Sequence, residues 1–496
     1  MAETKSLVKD SITYGSATII SKMVMALLTP VFTYSVIMSE SDYGMMNNLY
    51  AFTALFLVLL TFGMETGLFR FINSAKEGEK TTVYSTIIFI IGGIVLSFLI
   101  VFLGFFDFVR PLWVSDIPDN YIRLIIIIIA MDAFSAIPFA YLRYKKRPIK
   151  FGSLKILNTV LYAVLCIFFL HTCPWIHAHK PEFISWFYNP GKALEYVLVA
   201  NLIATGIQTS FLLPELLGFR YKFDSLLAKQ LVRYCFPLAL MGLAGMSNQV
   251  VDKIIFPEVY PGDDGMYQLG LYSGSFKIAL IMMMFTQAFR YAYEPFIFEK
   301  SKDADAKQSY AKVMKYFIIL GLLVFIGVMF YLDIIKYFVG PKYFGALEVV
   351  PIVLLGELFF AVYFNLSIWY KLTDRTHWGT IFALIGFVLI IAINILFIPK
   401  YSYMACAWAA FIGNLVIVIL SFFVGQRKYP IKYDLKSIAL YTGLVLVLFF
   451  ISQFITFESL FVRLISRTIL ISIYIAFMIK RDLPLKEIPI LNRFIK

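Results

Sequence analysis

The chain has 496 residues, of which 60% are AVILMFWYC and only 15% charged, with a mean hydropathy of +0.80. About 300 apolar side chains are far more than a soluble surface can hide, which excludes an ordinary globular protein. Fourteen bilayer-spanning helices of about 20 apolar residues each would use about 280 of them. The net charge of +13 would suit nucleic acid only if the basic residues lined a solvated face; they fall in short loops between apolar runs, so no nucleic-acid partner is expected.

Taken in chain order, the runs fall near residues 11-37, 44-66, 82-107, 121-142, 150-172, 194-216, 231-254, 268-293, 311-333, 348-371, 377-398, 403-425, 436-456 and 460-480. The first, from Ser11 to Ile37, is too long for a signal-peptide core and is expected to stay as helix 1. Stretches such as Leu124 to Ile129 are apolar on every face and lack the alternation of an outer-membrane barrel. The spacing therefore predicts an all-α integral membrane protein with about 14 transmembrane helices. With the N-terminus in the cytoplasm, about 30 Lys and Arg fall inside against about 10 outside, which orients both termini inward. The longest outer connection, Pro174 to Lys192, carries Trp175, Trp186, His177 and His179 and reads as a simple loop with interfacial aromatics. Cys166, Cys173, Cys235 and Cys406 lack metal-site or disulfide spacing and read as small core residues; no metal or cofactor is implied.

Helices 1 and 7 open alike, with Leu7-Val8-Lys9 and Tyr14 against Leu227-Ala228-Lys229 and Tyr234. Each leads to a glycine near the start of the next helix, Gly44 and Gly270. Six intervening helices give both copies the same orientation. The expected architecture is two six-helix lobes in parallel pseudo-repeat, 1-222 and 223-430, plus helices 13 and 14 over 431-480 and a basic tail, 481-496. A charge at mid-membrane costs at least about 2.5–3.5 kcal/mol, and four residues carry that cost: Lys22 on helix 1, Asp132 on helix 4, Lys277 on helix 8 and Glu357 on helix 10. Asp132 and Glu357 occupy equivalent helices of the repeat. Gly15, Thr18, Lys22, Thr29 and Thr33 share a stripe expected to face a wet cavity, and Ser273, Lys277, Gln287 and Tyr291 form a second, with Arg290 and Glu294 near its end. Glu65 and Arg70 are second-tier candidates, and Asp252 with Lys253 reads as an ion pair closing the outer end of helix 7. Pro30, Pro138 and Pro237 are candidate kinks, and the 18% aromatic content reads as lipid-facing filler and interfacial anchors.

Three blocks carry a family resemblance. The first is Leu7-Val8-Lys9-Asp10 to Tyr14-Gly15, with Leu28-Thr29-Pro30, Ser41-Asp42-Tyr43-Gly44 and Phe62-Gly63-Met64. The second is Arg233-Tyr234, Pro237-Leu238, Asp252-Lys253, Gly270-Leu271-Tyr272 and Pro295-Phe296; the third is Asn394 to Tyr401 followed by Ala405, Ala407, Ala409 and Ala410. Together they resemble the Wzx-type polysaccharide flippases of the multidrug/oligosaccharidyl-lipid/polysaccharide exporter superfamily, over about residues 5 to 430. The chain departs where a glycine is common after the tyrosine and before the alanines: it has Ser402 and Met404, and Trp408 interrupts the alanines.

The resemblance implies a V-shaped pair of lobes alternating between inward and outward openings in the bacterial inner membrane. It would move a polyprenyl-pyrophosphate-linked oligosaccharide for O-antigen, capsule or exopolysaccharide assembly, with a polysaccharide polymerase and chain-length machinery as partners. On that reading Lys22, Lys277 and Arg290 attract the pyrophosphate, while Asp132 and Glu357 hold the lysines or exchange protons; paired charges that merely brace helices are the structural alternative. A peptidoglycan lipid-precursor flippase shares the anionic head and prenyl tail. A cation-coupled drug exporter should have a carboxylate-rich, lysine-poor cavity. A membrane glycosyltransferase or polymerase would need catalytic groups on a sizeable outer loop, and neither a Walker A loop nor HExxH occurs, so an enzyme is not expected.

Overall fold

The computed structural model describes residues 19–113, 116–217, 221–300, 303, 305–373, 375–455 and 457–482, without the side chains of 291, 292, 294–296, 298 and 299. The Leu7 to Gly15 motif, Lys5, Lys9, Thr18, Arg220 and the tail beyond 482 lie outside the described residues, as do the side chains of Tyr291, Glu294, Pro295 and Phe296. Among the described residues the chain is helical throughout, with no strand. Thirteen helices are long and apolar enough to cross a membrane, and a shorter apolar helix, α1 (Ile19–Thr33), precedes them. They are α2 (Glu40–Ser74), α3 (Glu77–Gly104), α4 (Asp119–Tyr144), α5 (Pro148–His179), α6 (Pro190–Glu215), α7 (Ser225–Val259), α8 (Gly265–Arg290), α9 (Ala306–Phe330), α10 (Pro341–Leu372), α11 (His377–Tyr401), α12 (Tyr403–Lys428), α13 (Leu435–Phe454) and α14 (Leu460–Arg481). This is a multi-pass membrane protein. The Pro174 to Lys192 connection is only partly a loop, because α5 continues through His179 before the chain turns. All four cysteines are free and buried.

The chain forms two compact units, one of residues 1–274 with 390–406 and the other of 275–389 with 407–496. In the first, the stretch Leu124 to Ile129 of α4 is apolar on every face, and Ile122, Ile125, Ile126, Ile128 and Ile129 are all buried. Helices α2, α3, α5 and α6 pack around α4. A stretch with no polar face to give to water becomes the core of the unit.

Helix α2 opens with a capping box, in which the Ser39 hydroxyl accepts from the Asp42 amide and the Asp42 carboxylate accepts from the Ser39 amide. It bends at Phe62 and Gly63, both with positive φ (51° and 68°). Beyond the bend, a Cβ on Gly67 would stand 2.6 Å from the Cys235 sulfur, so the absence of side chain lets α7 lie directly against α2. At the other end of α2, Gly44 meets Gly270 of α8. A Cβ on Gly44 would lie 1.9 Å from the Met266 carbonyl oxygen, and one on Gly270 would lie 1.9 Å from that of Glu40. Only hydrogen fits at either position of this crossing.

A second positive φ marks a departure noted in the sequence. Ser402, between α11 and α12, sits at φ 50°, a left-handed conformation costing a side-chain-bearing residue about 1–2 kcal/mol. Its hydroxyl is buried with no hydrogen-bond partner among the described residues. Ser402→Gly should therefore raise stability by about 0.5–1 kcal/mol, read as a higher thermal denaturation midpoint in detergent.

In the second unit α9 packs against α10, α13, α14 and the continuation of α8. The two last helices are tied in by charge. Asp482, just past α14, accepts from Lys315 Nζ of α9 at 2.7 Å and from the Tyr441 hydroxyl of α13 at 2.8 Å. Burial alone would raise its pKa; these bonds outweigh that and hold it below the usual carboxylate range.

Candidate functional site

Burying charge in a span is costly enough that each instance needs a structural reason. In the first unit, Asp132 lies midway along α4 and the lysine in its field is Lys155 of α5, which also feels Glu65. Lys155 Nζ stands 4.2 Å from the centre of the Phe139 ring, a cation–π contact on α4 itself. Glu65, just past the α2 bend, pairs with Arg143 at the end of α4. Both Asp132 and Lys155 retain some accessible surface. Asp132 also lies in the field of Tyr50, whose hydroxyl meets that of Tyr162 at 3.0 Å and accepts from Asn201 at 3.1 Å. A polar column thus runs through this unit from Glu65 to Asn201.

Lys22 is exposed on α1. The stripe expected to accompany it is not exposed along its length, since Thr29 and Thr33 are 3% and 1% exposed and the Thr33 hydroxyl bonds back to the Thr29 carbonyl. Arg70 is exposed and stacks 4.1 Å from the Tyr234 ring centre. Asp252 and Lys253 do not end α7, which runs on to Val259. Asp252 is buried, 3.2 Å from Lys253 Nζ, and accepts from the Tyr272 hydroxyl at 2.9 Å. The Lys253 carbonyl accepts from Asn48 of α2 at 2.7 Å. This pair clamps α2, α7 and α8 within the first unit rather than closing a helix end.

In the second unit the informative feature is a break in α8. The α-helix stops at Phe276, Lys277–Ala279 form a 3-10 turn, and the α-helix resumes at Leu280. Lys277 opens that turn. Tightening to i→i+3 bonds disturbs the backbone ladder in mid-span, and interrupted helices are where membrane transporters place polar ligands. Both the turn and the following helix pack on α10, the helix of Glu357. Arg290 lies over the Phe364 ring at 3.5 Å, and Lys371 lies 4.2 Å from the same ring. Phe364 sits seven residues after Glu357, hence on its face of α10. Glu294 contributes only its backbone to this description.

Residues of α10 also wall an apolar groove of about 470 Å³. Leu358 and Phe359 of α10, Phe325 of α9, Phe422 of α12, and Val445 and Leu446 of α13 are among its lining. The second unit therefore sets a cationic face and an apolar channel against one helix.

No protein-family model matches the chain, and no curated protein sequence matches it. Solved structures do. The lipid II flippase MurJ in an inward closed conformation superposes with a TM-score of 0.73 at 15% identity, covering 95% of this chain and 99% of that one. The chain has the fold of MurJ and the MATE transporters. An inward-facing multidrug resistance MATE family transporter of the MOP superfamily matches at TM-score 0.63 and 13% identity, over 87% of this chain and 96% of its own. A MOP superfamily transporter from Pyrococcus furiosus, described as having a binding pocket of reverse polarity, matches at 0.53 and 14% identity, over 84% and 95%. These MurJ- and MATE-fold proteins are flippases and transporters rather than enzymes.

Proposed function

We propose that the protein is a flippase that carries polyprenyl-pyrophosphate-linked oligosaccharide units across the bacterial cytoplasmic membrane by alternating access, for O-antigen, capsule or exopolysaccharide synthesis, with both termini in the cytoplasm. The observation that carries this reading is the juxtaposition in the second unit: Lys277 at a break in α8 and Arg290 on one side of α10, with the apolar groove on another. A cargo with an anionic head and a long hydrocarbon tail needs both surfaces. A small organic cation needs neither lysine nor arginine. Lys277 and Arg290, and Lys22 in the first unit, take the diphosphate as charge-assisted donors. Asp132 and Glu357 balance cationic side chains in the unloaded protein or exchange protons as the cargo passes, and Lys155 gives Asp132 a neighbour of the right sign. Surface-glycan polymerase and chain-length machinery would receive the product.

MurJ, with the same fold, is a lipid II flippase, and a peptidoglycan precursor offers the same head and tail. A binding panel separates the readings. Purified protein should be quenched in its tryptophan fluorescence by a polyprenyl-pyrophosphate oligosaccharide at lower concentration than by lipid II, and not by a lipophilic drug cation. Preference for lipid II would favour the precursor reading, and binding of the drug cation alone would overturn both.

A further inference from the structure

Helix α14 begins with charge of the wrong sign. A helix N-terminus carries about half a positive charge and favours anions, yet Arg463 and Arg467 occupy the first two turns of α14, and the Ser459 side chain supplies no capping bond. Lys336, following α9, joins them. One carboxylate, Asp333, faces all three: Arg463 Nε at 2.9 Å, Arg467 Nη1 at 2.8 Å and Lys336 Nζ at 3.8 Å. Arg467 Nη1 also donates to the Phe330 carbonyl at 3.2 Å. Three cations and a helix dipole thus share Asp333 among the described residues, and the buried Nε atoms of Arg463 and Arg467 make no hydrogen bond of good geometry there. Glu458 lies on the exposed approach to the helix. The four side chains keep 15–27% of their surface accessible, so the cluster can be reached.

The neighbourhood says what reaches it. Phe461, Ile465 and Ile469 on α14 and Ile334 beside Asp333 are exposed at 72%, 46%, 56% and 51%. Apolar residues this exposed at the end of a spanning helix face acyl chains. We propose that Arg463, Arg467 and Lys336 form a binding site for the phosphate of an anionic membrane phospholipid whose chains lie along α14. The arginines donate to the phosphate oxygens in the way guanidinium groups suit, in competition with Asp333.

The test uses the full-length protein in nanodiscs of mixed phosphatidylglycerol and phosphatidylcholine, with retained lipid counted by native mass spectrometry after detergent extraction. Wild-type protein should retain phosphatidylglycerol over phosphatidylcholine by about tenfold, and Arg463→Gln with Arg467→Gln should bring that preference near unity. Asp333→Asn removes the competing carboxylate and should strengthen phosphatidylglycerol retention even though it loses ion pairs; purely structural bridging predicts no such gain. Equal retention of the two lipids by wild-type protein, or a preference unchanged in the double variant, would overturn the proposal. So would displacement of the lipid by millimolar inorganic phosphate, which would make the ligand a soluble anion.

Discussion

Replacing Lys277 with glutamine should lower transport by about 10- to 100-fold while leaving protein abundance and thermal stability near wild type. One charge-assisted contact to a diphosphate contributes about 1.5–3 kcal/mol, and each 1.4 kcal/mol is tenfold. Glutamine is one atom shorter than lysine but keeps a polar hydrogen-bonding tip, so the loss reports mainly the missing charge. Lys277→Arg should recover most of the activity, since the 3-10 turn at 277–279 sets where the cation sits. The bracing alternative predicts the reverse order: a lower denaturation midpoint first, with transport falling only in proportion. Headgroup affinity and unfolding temperature measured on the same preparations separate the two, and retained affinity in Lys277→Gln would remove this residue from the cargo path.

The second large effect is expected at the glycine crossing of α2 and α8. A methyl group on Gly44 or Gly270 would be placed 1.9 Å from a carbonyl oxygen of the other helix, and backbone cannot step aside as a flexible side chain can. Overpacking of this kind costs about 1–3 kcal/mol for small intrusions and more where backbone must move. Gly44→Val and Gly270→Val should each abolish transport and lower the denaturation midpoint, and Gly44→Ala should do so in part. Gly443→Ala on α13 is the control, because nothing lies within 4 Å of its added Cβ. Wild-type stability and transport in Gly44→Val would show that the crossing is not held as described.

Much of this architecture is legible in the sequence for a simple reason. A span announces itself through some 20 consecutive apolar residues, and that signal needs no knowledge of neighbours. A buried charge such as Asp132 is equally visible because its cost is local. Gly44 and Gly270 were visible too, although that they meet each other is a matter of packing. Lys155 was hidden: it falls near the start of the run 150-172, where a lysine can snorkel to the interface, and only the stripe Lys155, Thr159, Tyr162 and Cys166 on α5 marks it as inward-facing. The break in α8 was hidden for another reason. Three residues of tighter winding change no hydropathy, and the one trace is the run Ser273-Gly274-Ser275 of weak helix formers just before it. The bend in α2 left a clearer mark, Gly63, but a glycine alone does not say that Cys235 of another helix fills the space it leaves.

Whether this chain moves a diphosphate-linked glycan across a bilayer is read most directly from translocation itself. Purified protein is reconstituted into liposomes carrying a fluorescent polyprenyl-pyrophosphate oligosaccharide in both leaflets, and an added membrane-impermeant glycosidase digests whatever reaches the outer face. The protected inner-leaflet pool should become digestible with wild-type protein and stay largely protected with Lys277→Gln. Protection unchanged by folded, reconstituted wild-type protein, across imposed proton and sodium gradients, would contradict this function.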